Sequence, residues 1–209
     1  NDVSQVEIIT EEIPDSVSRN GNSERTLETW SLMHMNSMSS SVSYGQGGSS
    51  SGDLSSVDFS FGLEKYFQSD GFLKNISFSA LIHIFQVNNS SVSGVSQSSN
   101  VFEYGLGASY HFLSSPLSYG RVIGFGNINF GIGDAEDSVT QSSSSTTYSG
   151  TSSFFSLGLG MKYYLQSGFG ARAILDYYRR VETYDFSDSA SDTKTVSGPR
   201  LLLGMSYRW

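Results

Sequence analysis

Cysteine is absent from the 209 residues, which excludes disulfide staples and thiolate metal centres. Long apolar runs are absent too. The longest, such as Ala80-Leu81-Ile82 and Leu201-Leu202-Leu203, fall far short of the roughly 20 residues that a membrane-spanning helix requires. Positive charge is scarce, with 12 Lys and Arg against 20 Asp and Glu and a formal net charge of −8. No basic patch exists to neutralise phosphates, so nucleic acid is excluded as a partner. From Asn1 the chain is polar and acidic, without the charged n-region and apolar h-region of a signal peptide. On a membrane reading, such a peptide has already been removed.

What is present is Ser, Gly, Tyr and Phe, arranged in alternation. Residues 1–24, with Asp2, Glu7, Glu11, Glu12 and Asp15 around short apolar pairs, read as an acidic extension on the periplasmic side of a single domain, residues 25–209. Within that domain Val57, Phe59, Phe61 and Leu63 alternate with Asp58, Ser60, Gly62 and Glu64, and Phe102, Tyr104, Leu106, Ala108, Tyr110 and Phe112 with Glu103, Gly105, Gly107, Ser109 and His111. A period of two is the mark of a strand between two different solvents. Six further stretches bring the expected count to eight strands. The stretch beginning at Arg25 is the exception. Trp30 and Leu32 share a parity with Glu28 and His34, so its faces stay unassigned, and a bulge would repair the alternation. Connections alternate between long Ser/Gly-rich loops, at about 41–52, 88–100, 134–151 and 185–197, and tight turns near Asp70, Pro116 and Gly168. That alternation fits a barrel with extracellular loops and short periplasmic turns.

The last strand, LLLGMSYRW, sets Leu201, Leu203, Met205, Tyr207 and Trp209 on one face and ends on aromatics. It resembles the closing strand of bacterial outer-membrane β-barrels, whose assembly machinery reads a terminal aromatic. Gly204, Tyr207 and Trp209 carry the match, and Leu202 departs from the usual polar residue. Residues 25–209 as a whole are similar in pattern to the small eight-stranded barrels of the OmpA transmembrane domain and OmpX type. The resemblance implies an all-β, antiparallel, up-and-down transmembrane barrel in the outer membrane of a Gram-negative bacterium. Its implied partners are outer-membrane lipids including lipopolysaccharide, and the barrel-assembly machinery through the C-terminal strand. The chain is expected to be a monomer.

Charge placement decides which face meets lipid. The apolar face carries charge near strand ends alone, as Arg or Lys at the midplane would cost about 2–4 kcal/mol. The small-residue face holds Asp58, Glu64, Glu103, Arg121, Lys162, Arg172, Asp176, Arg180, Arg200 and Arg208, which are expected to form two ion-pair layers in the lumen with small Gly and Ser residues between them. An aromatic girdle is expected at Tyr110, Phe112, Tyr163, Phe169, Tyr207 and Trp209 toward the short turns, and at Phe102, Tyr104, Phe155 and Tyr177 toward the long loops.

Functional motifs are sparse. His34, with Ser37 and Ser39 nearby, is the one candidate base for an acyl hydrolase or acyltransferase. His83 and His111 fall on the lumen face. Asp134, Glu136 and Asp137, and the run Asp185, Asp188 and Asp192, lack a full calcium-loop signature, so neither metal nor cofactor is expected. The leading expectation is a non-enzymatic barrel with a plugged lumen and a structural, adhesive or recognition role at the surface. A narrow channel or lipid-handling barrel is the alternative, and an enzyme the lesser one.

Overall fold

A computed structural model describes residues 25–43, 49–67, 71–92, 95–141, 144–185 and 191–209. The expected acidic extension, residues 1–24, lies outside them. Eight strands follow one another as β1 (Leu27–Ser43), β2 (Ser49–Tyr66), β3 (Ile76–Val92), β4 (Val95–Leu113), β5 (Val122–Gln141), β6 (Ser144–Tyr164), β7 (Phe169–Asp185) and β8 (Ser191–Arg208). Each pairs antiparallel with the next, and β8 pairs with β1 to close the barrel. Closure removes every sheet edge.

The registers fix the strand stagger. From Trp30, paired residues lead around the wall through Gly62, Leu81, Gly105, Gly131, Phe154, Arg180 and Val196. The path returns to β1 at Ser40, ten residues along the strand from its start. A stagger of that size in an eight-stranded wall tilts the strands strongly, in the range of roughly 35–45°.

One row of side chains points out and the other in. Phe59, Ile84, Leu106, Phe130, Leu159, Leu175 and Leu203 stand exposed on the outside, while Asp58, His83, Glu103, Asn129, Ser156, Asp176 and Arg200 on the same strands turn inward. β1 shows no bulge. Its pairing with β2 runs unbroken from Leu27↔Lys65 to Ser43↔Ser49, and Glu28, Trp30, Leu32 and His34 all face the lumen. The mixed chemistry of that row reflects what the lumen holds, which includes apolar filler.

The long loops expected at 41–52, 88–100, 134–151 and 185–197 are a correction. Most of their residues are paired strand, for β3 and β4 are linked between Val92 and Val95 and β5 and β6 between Gln141 and Ser144. Pairs such as Asp137↔Tyr148 and Thr140↔Ser145 continue the ladder to its tip. These hairpins overshoot the last large apolar residues of the outer face, Ile132 on β5 and Phe155 on β6, by about nine residues, or roughly 30 Å of strand. At the opposite end Gly168 takes a φ of 97° in the turn from β6 to β7, with its N–H donating to the Leu165 carbonyl at 2.9 Å.

Candidate functional site

Two surfaces carry chemistry, the lumen and the outer wall. The lumen is filled along its height by ionisable and aromatic side chains brought in from all eight strands. Toward the short-turn end, Arg172 Nη1 donates to Glu64 Oε2 at 2.6 Å and to Glu28 Oε1 at 3.2 Å. Lys162 Nζ lies 3.3 Å from Glu64 and 3.6 Å from Glu28. Ser77 donates to Glu64, Tyr66 to Glu28, and Lys162 to Tyr66. Below this layer the Arg208 guanidinium stacks 3.8 Å from the Tyr164 ring centroid and donates to the Pro116 carbonyl at 2.6 Å.

At mid-height Arg200 grips Asp176 with two hydrogen bonds, Nε at 3.0 Å and Nη2 at 2.7 Å, and reaches Asp58 with Nη1 at 2.5 Å. A bidentate arginine–carboxylate pair is the strongest geometry available to such groups. Beside it Glu103 accepts from Tyr178 at 2.6 Å and from Ser152 at 3.1 Å, with His83 Nδ1 at 3.4 Å. Higher still, Arg180 donates to Glu182 at 2.7 Å, and Lys194 lies 3.4 Å from Glu182 and 3.3 Å from Asp137. Tyr184 completes this layer with a 2.6 Å bond to Glu182. The lumen thus holds three layers where two were expected.

Of the residues anticipated for this network, Asp58, Glu64, Glu103, Lys162, Arg172, Asp176, Arg180, Arg200 and Arg208 are all buried. Arg121 is not among them. It precedes the first residue of β5, Val122, and is exposed in the connection from β4. Parity extrapolated from the strand placed it inward, but parity has no meaning beyond the last ladder rung. Glu28, Asp137, Glu182 and Lys194 were missed. Glu28 lay on the strand of unassigned faces, and the other three lay in or beside stretches read as loop.

The spaces between layers hold apolar residues as well as small and polar ones. Trp30, Leu32, Leu81, Ile174 and Leu202 pack between the lower and middle layers around a cavity of about 20 Å³, room for a single water molecule at most. Gly62, Gly105, Gly131, Gly160 and Gly170 serve as seats for rings. A Cβ at Gly160 would meet the Phe125 ring at 2.3 Å, one at Gly131 the Phe154 ring at 2.4 Å, and one at Gly170 the Tyr164 ring at 2.7 Å. Each of these three rings belongs to the directly paired residue of the adjoining strand.

His34 and Ser39 do not converge, and the Ser37 side chain lies outside the described ones. The imidazole is buried in the lumen beside Asp58, its partner on β2, whereas Ser39 is exposed on the outer face. Nor do the acids of β5 form one group. Asp134 and Glu136 are exposed outside, and Asp137 turns inward to Lys194. Among the described residues no cluster of His, Asp and Glu has the geometry to hold a metal ion.

On the outer wall all ten anticipated girdle aromatics are exposed, from Tyr207 at 36% to Phe169 at 60%. Phe61, Leu106, Phe130, Leu157, Leu159 and Leu203 fill the band between the two rings of aromatics, and no charged side chain interrupts it. An apolar, charge-free outer band around an ion-paired interior is the arrangement that lipid demands, with aromatic girdles at both interfaces. The fold is that of a small outer-membrane β-barrel.

No protein-family model matches the chain, and no curated protein does. Among solved structures it is similar to Neisserial surface protein A, with 13% identity, 88% of this chain and 97% of that one covered, and a TM-score of 0.49. It is also similar to Ail, the attachment invasion locus protein of Yersinia pestis, with 13% identity, 87% and 98% covered and a TM-score of 0.47. A third is the outer membrane protease OmpT from Escherichia coli, with 8% identity, 90% and 98% covered and a TM-score of 0.49. The likeness is one of strand arrangement.

Above the lipid-facing band the outer wall changes to hydroxyls. One rung of paired residues reads Asp134, Thr151, Thr183, Thr193 and Ser43 across five strands, and the next below it Ser153, Val181, Thr195 and Ser41. Nearer the tip of the β5–β6 hairpin, Ser138 and Thr147 bond to each other at 3.0 Å. Neighbouring strands lie about 4.8 Å apart, so these side chains form a regular polar lattice.

Proposed function

We propose that this barrel is a closed, non-enzymatic scaffold that holds a hydroxyl-rich β-wall above the outer membrane for adhesion or recognition. The observation that carries the reading is the continuation of the ladder beyond the lipid band, clad outside in the rungs from Thr151 to Ser43 and from Ser153 to Ser41. A barrel that needed nothing beyond membrane insertion would end its strands at the interface. Here two hairpins extend well past it as ordered sheet, which sets side chains at fixed spacing and lowers the entropy cost of binding. The layered lumen supports a scaffold role, since buried ion pairs and ring seats make a stiff interior. The three histidines support the absence of catalysis. All are buried inside the barrel, and His83 and His111 lie against Glu103 and Glu64. Outer-membrane lipids, including lipopolysaccharide, and the assembly machinery are the partners this reading entails, with the barrel acting as a monomer.

The test is to replace Thr147, Ser149, Thr151 and Ser153 together by alanine. The variant should assemble and shift on gels when heated like the parent, yet cells bearing it should lose at least tenfold in attachment to surfaces that the parent binds. Undiminished attachment, or a change in the acylation of outer-membrane lipid that depends on the parent protein, would count against the reading.

A further inference from the structure

The barrel sorts its exposed charge between its two ends. Arg25 precedes β1, Lys65 is the last residue but one of β2, Lys74 lies in a single turn of 3₁₀ helix, Phe72–Asn75, that leads into β3, and Arg121 precedes β5. All four stand at the short-turn end, where Lys65, Lys74 and Arg121 are exposed and Arg25 is half-buried. The exposed acids Asp53, on β2, and Asp134 and Glu136, on β5, lie toward the long hairpins. Arg179, beside Tyr177 of the upper girdle, is the one exposed base among the described residues that stands away from the short turns. Asp70 and the acids of residues 1–24 lie outside the described residues.

No carboxylate answers these four bases. Among the described residues every ion pair lies inside the lumen, and none involves Arg25, Lys65, Lys74 or Arg121. The groups that hold them are neutral. Arg25 Nη1 donates to the Ser167 carbonyl at 2.8 Å, in the turn from β6 to β7, and Lys65 Nζ donates to Thr26 Oγ1 at 2.6 Å, just ahead of β1. Such bonds fix where the cations stand and bring no countercharge. None of the four is near another in sequence, so the chain shows no basic run. Closure of the barrel gathers them at one rim, from β1 to β5, with Arg25 reaching past the end of β8.

The rim coincides with the lower aromatic girdle. Phe72 and Leu73, immediately before Lys74, are both exposed, and the Phe72 ring stacks on Tyr110 of that girdle with centroids 6.4 Å apart and planes at 26°. Trp209, exposed in the same girdle, exchanges backbone hydrogen bonds of 2.8 and 3.1 Å with Leu27, two residues after Arg25. Aromatic girdles mark the level of the lipid headgroups. The four cations therefore stand at the depth of lipid phosphates, on a wall whose apolar side chains already lie among the acyl chains.

We propose that this rim is a collar for anionic phospholipid. Arg25, Lys65, Lys74 and Arg121 take the phosphates of the leaflet at the short-turn end, the periplasmic one, and select headgroups of net negative charge, such as phosphatidylglycerol, over zwitterionic ones. A zwitterion carries its own cation beside the phosphate and gains little from a second, whereas a net-anionic headgroup gains the full attraction. Each basic residue near an anionic surface strengthens that attraction about fivefold. The collar goes beyond the scaffold reading, because it lies at the opposite end of the barrel and holds whether or not the hairpins bind anything.

The chain carries its own reporter. Of its 2 tryptophans, Trp30 is buried in the lumen, whereas Trp209 is exposed to lipid beside the collar. The full chain is reconstituted in phosphatidylcholine vesicles into which acyl-brominated phosphatidylglycerol or acyl-brominated phosphatidylcholine is titrated, and quenching of tryptophan emission gives the relative affinity of each lipid at that end. In dilute salt the phosphatidylglycerol should be favoured at least threefold. In molar salt, where charge attraction is screened, the preference of the unmodified protein should fall to parity. The variant carrying Lys65→Gln, Lys74→Gln and Arg121→Gln should lose the preference while still shifting on gels when heated, and Arg179→Gln, at the other end, should keep it. Equal quenching by the two lipids in dilute salt, a preference that survives molar salt, or one retained by the triple variant would each overturn the collar. A preference that emerges only once residues 1–24 are removed would overturn it too, and would assign the rim to the chain's own acidic segment.

Discussion

The indole of Trp30 lies flat over Gly62, its paired residue on β2, so closely that a Cβ there would fall 2.1 Å from the ring. The Arg172 guanidinium covers the same ring at 5.0 Å. Gly62→Val should therefore displace both, and forcing extra atoms into a filled core costs about 1–3 kcal/mol. Gly126→Ala is the control, for that Cβ would point outward and meet nothing closer than 3.6 Å. Midpoints of denaturant unfolding in detergent should fall for Gly62→Val and stay within error for Gly126→Ala.

Arg172 ties two carboxylates, Glu28 and Glu64, into one layer. Removing one member of a buried ion pair leaves its partners uncompensated and costs about 3–5 kcal/mol. Arg172→Ala should thus destabilise the barrel more than Leu175→Ala on the lipid side of the same strand, where the side chain is 60% exposed. Equal loss in the two variants would show that the layer contributes little.

Acid should loosen the outer end first. Glu182 lies beyond the lipid band, where burial pushes its carboxyl up but the charges of Arg180 and Lys194, with hydrogen bonds from Tyr184 and Arg180, outweigh it and hold the carboxyl below its ordinary 4.5. A depressed carboxylate stabilises the fold above its unfolded value and loses that contribution as pH falls through the folded one. The stability of the parent should decline below about pH 4.5 more steeply than that of Glu182→Gln, measured as unfolding midpoint against pH.

The hairpin tips should behave as sheet. Proteinase K added to intact cells should leave 134–141 and 144–153 uncut, because these residues are paired with one another to the tip. Rapid cleavage inside either stretch would return them to loop.

Much of the wall was legible because lipid imposes a simple rule. Phe102 to Phe112 on β4 alternate cleanly, and all of the apolar members stand outside except the half-buried Ala108. β1 was illegible for a physical reason. Its inward row runs Glu28, Trp30, Leu32 and His34, and a lumen that accepts an indole seated on a glycine makes inside and outside chemically alike. Above the membrane both faces of the wall meet water or polar filler, so the alternation of Thr193, Lys194, Thr195 and Val196 carries no hydrophobic signal although all four are paired strand. The ring-on-glycine pairs depend on register, which spacing within a single strand does not contain. Arg121 shows the converse error, a parity extended past the end of the ladder.

The central claim is that the lumen is closed. Its acids, Glu28, Asp58, Glu64, Glu103, Asp137, Asp176 and Glu182, are nearly matched by Lys162, Arg172, Arg180, Lys194, Arg200 and Arg208, and all are buried. Single-channel recording of the purified protein in a planar bilayer tests this most directly. The account predicts no stable open level at any voltage the membrane survives, and steady ohmic conductance from the unmodified protein would contradict it.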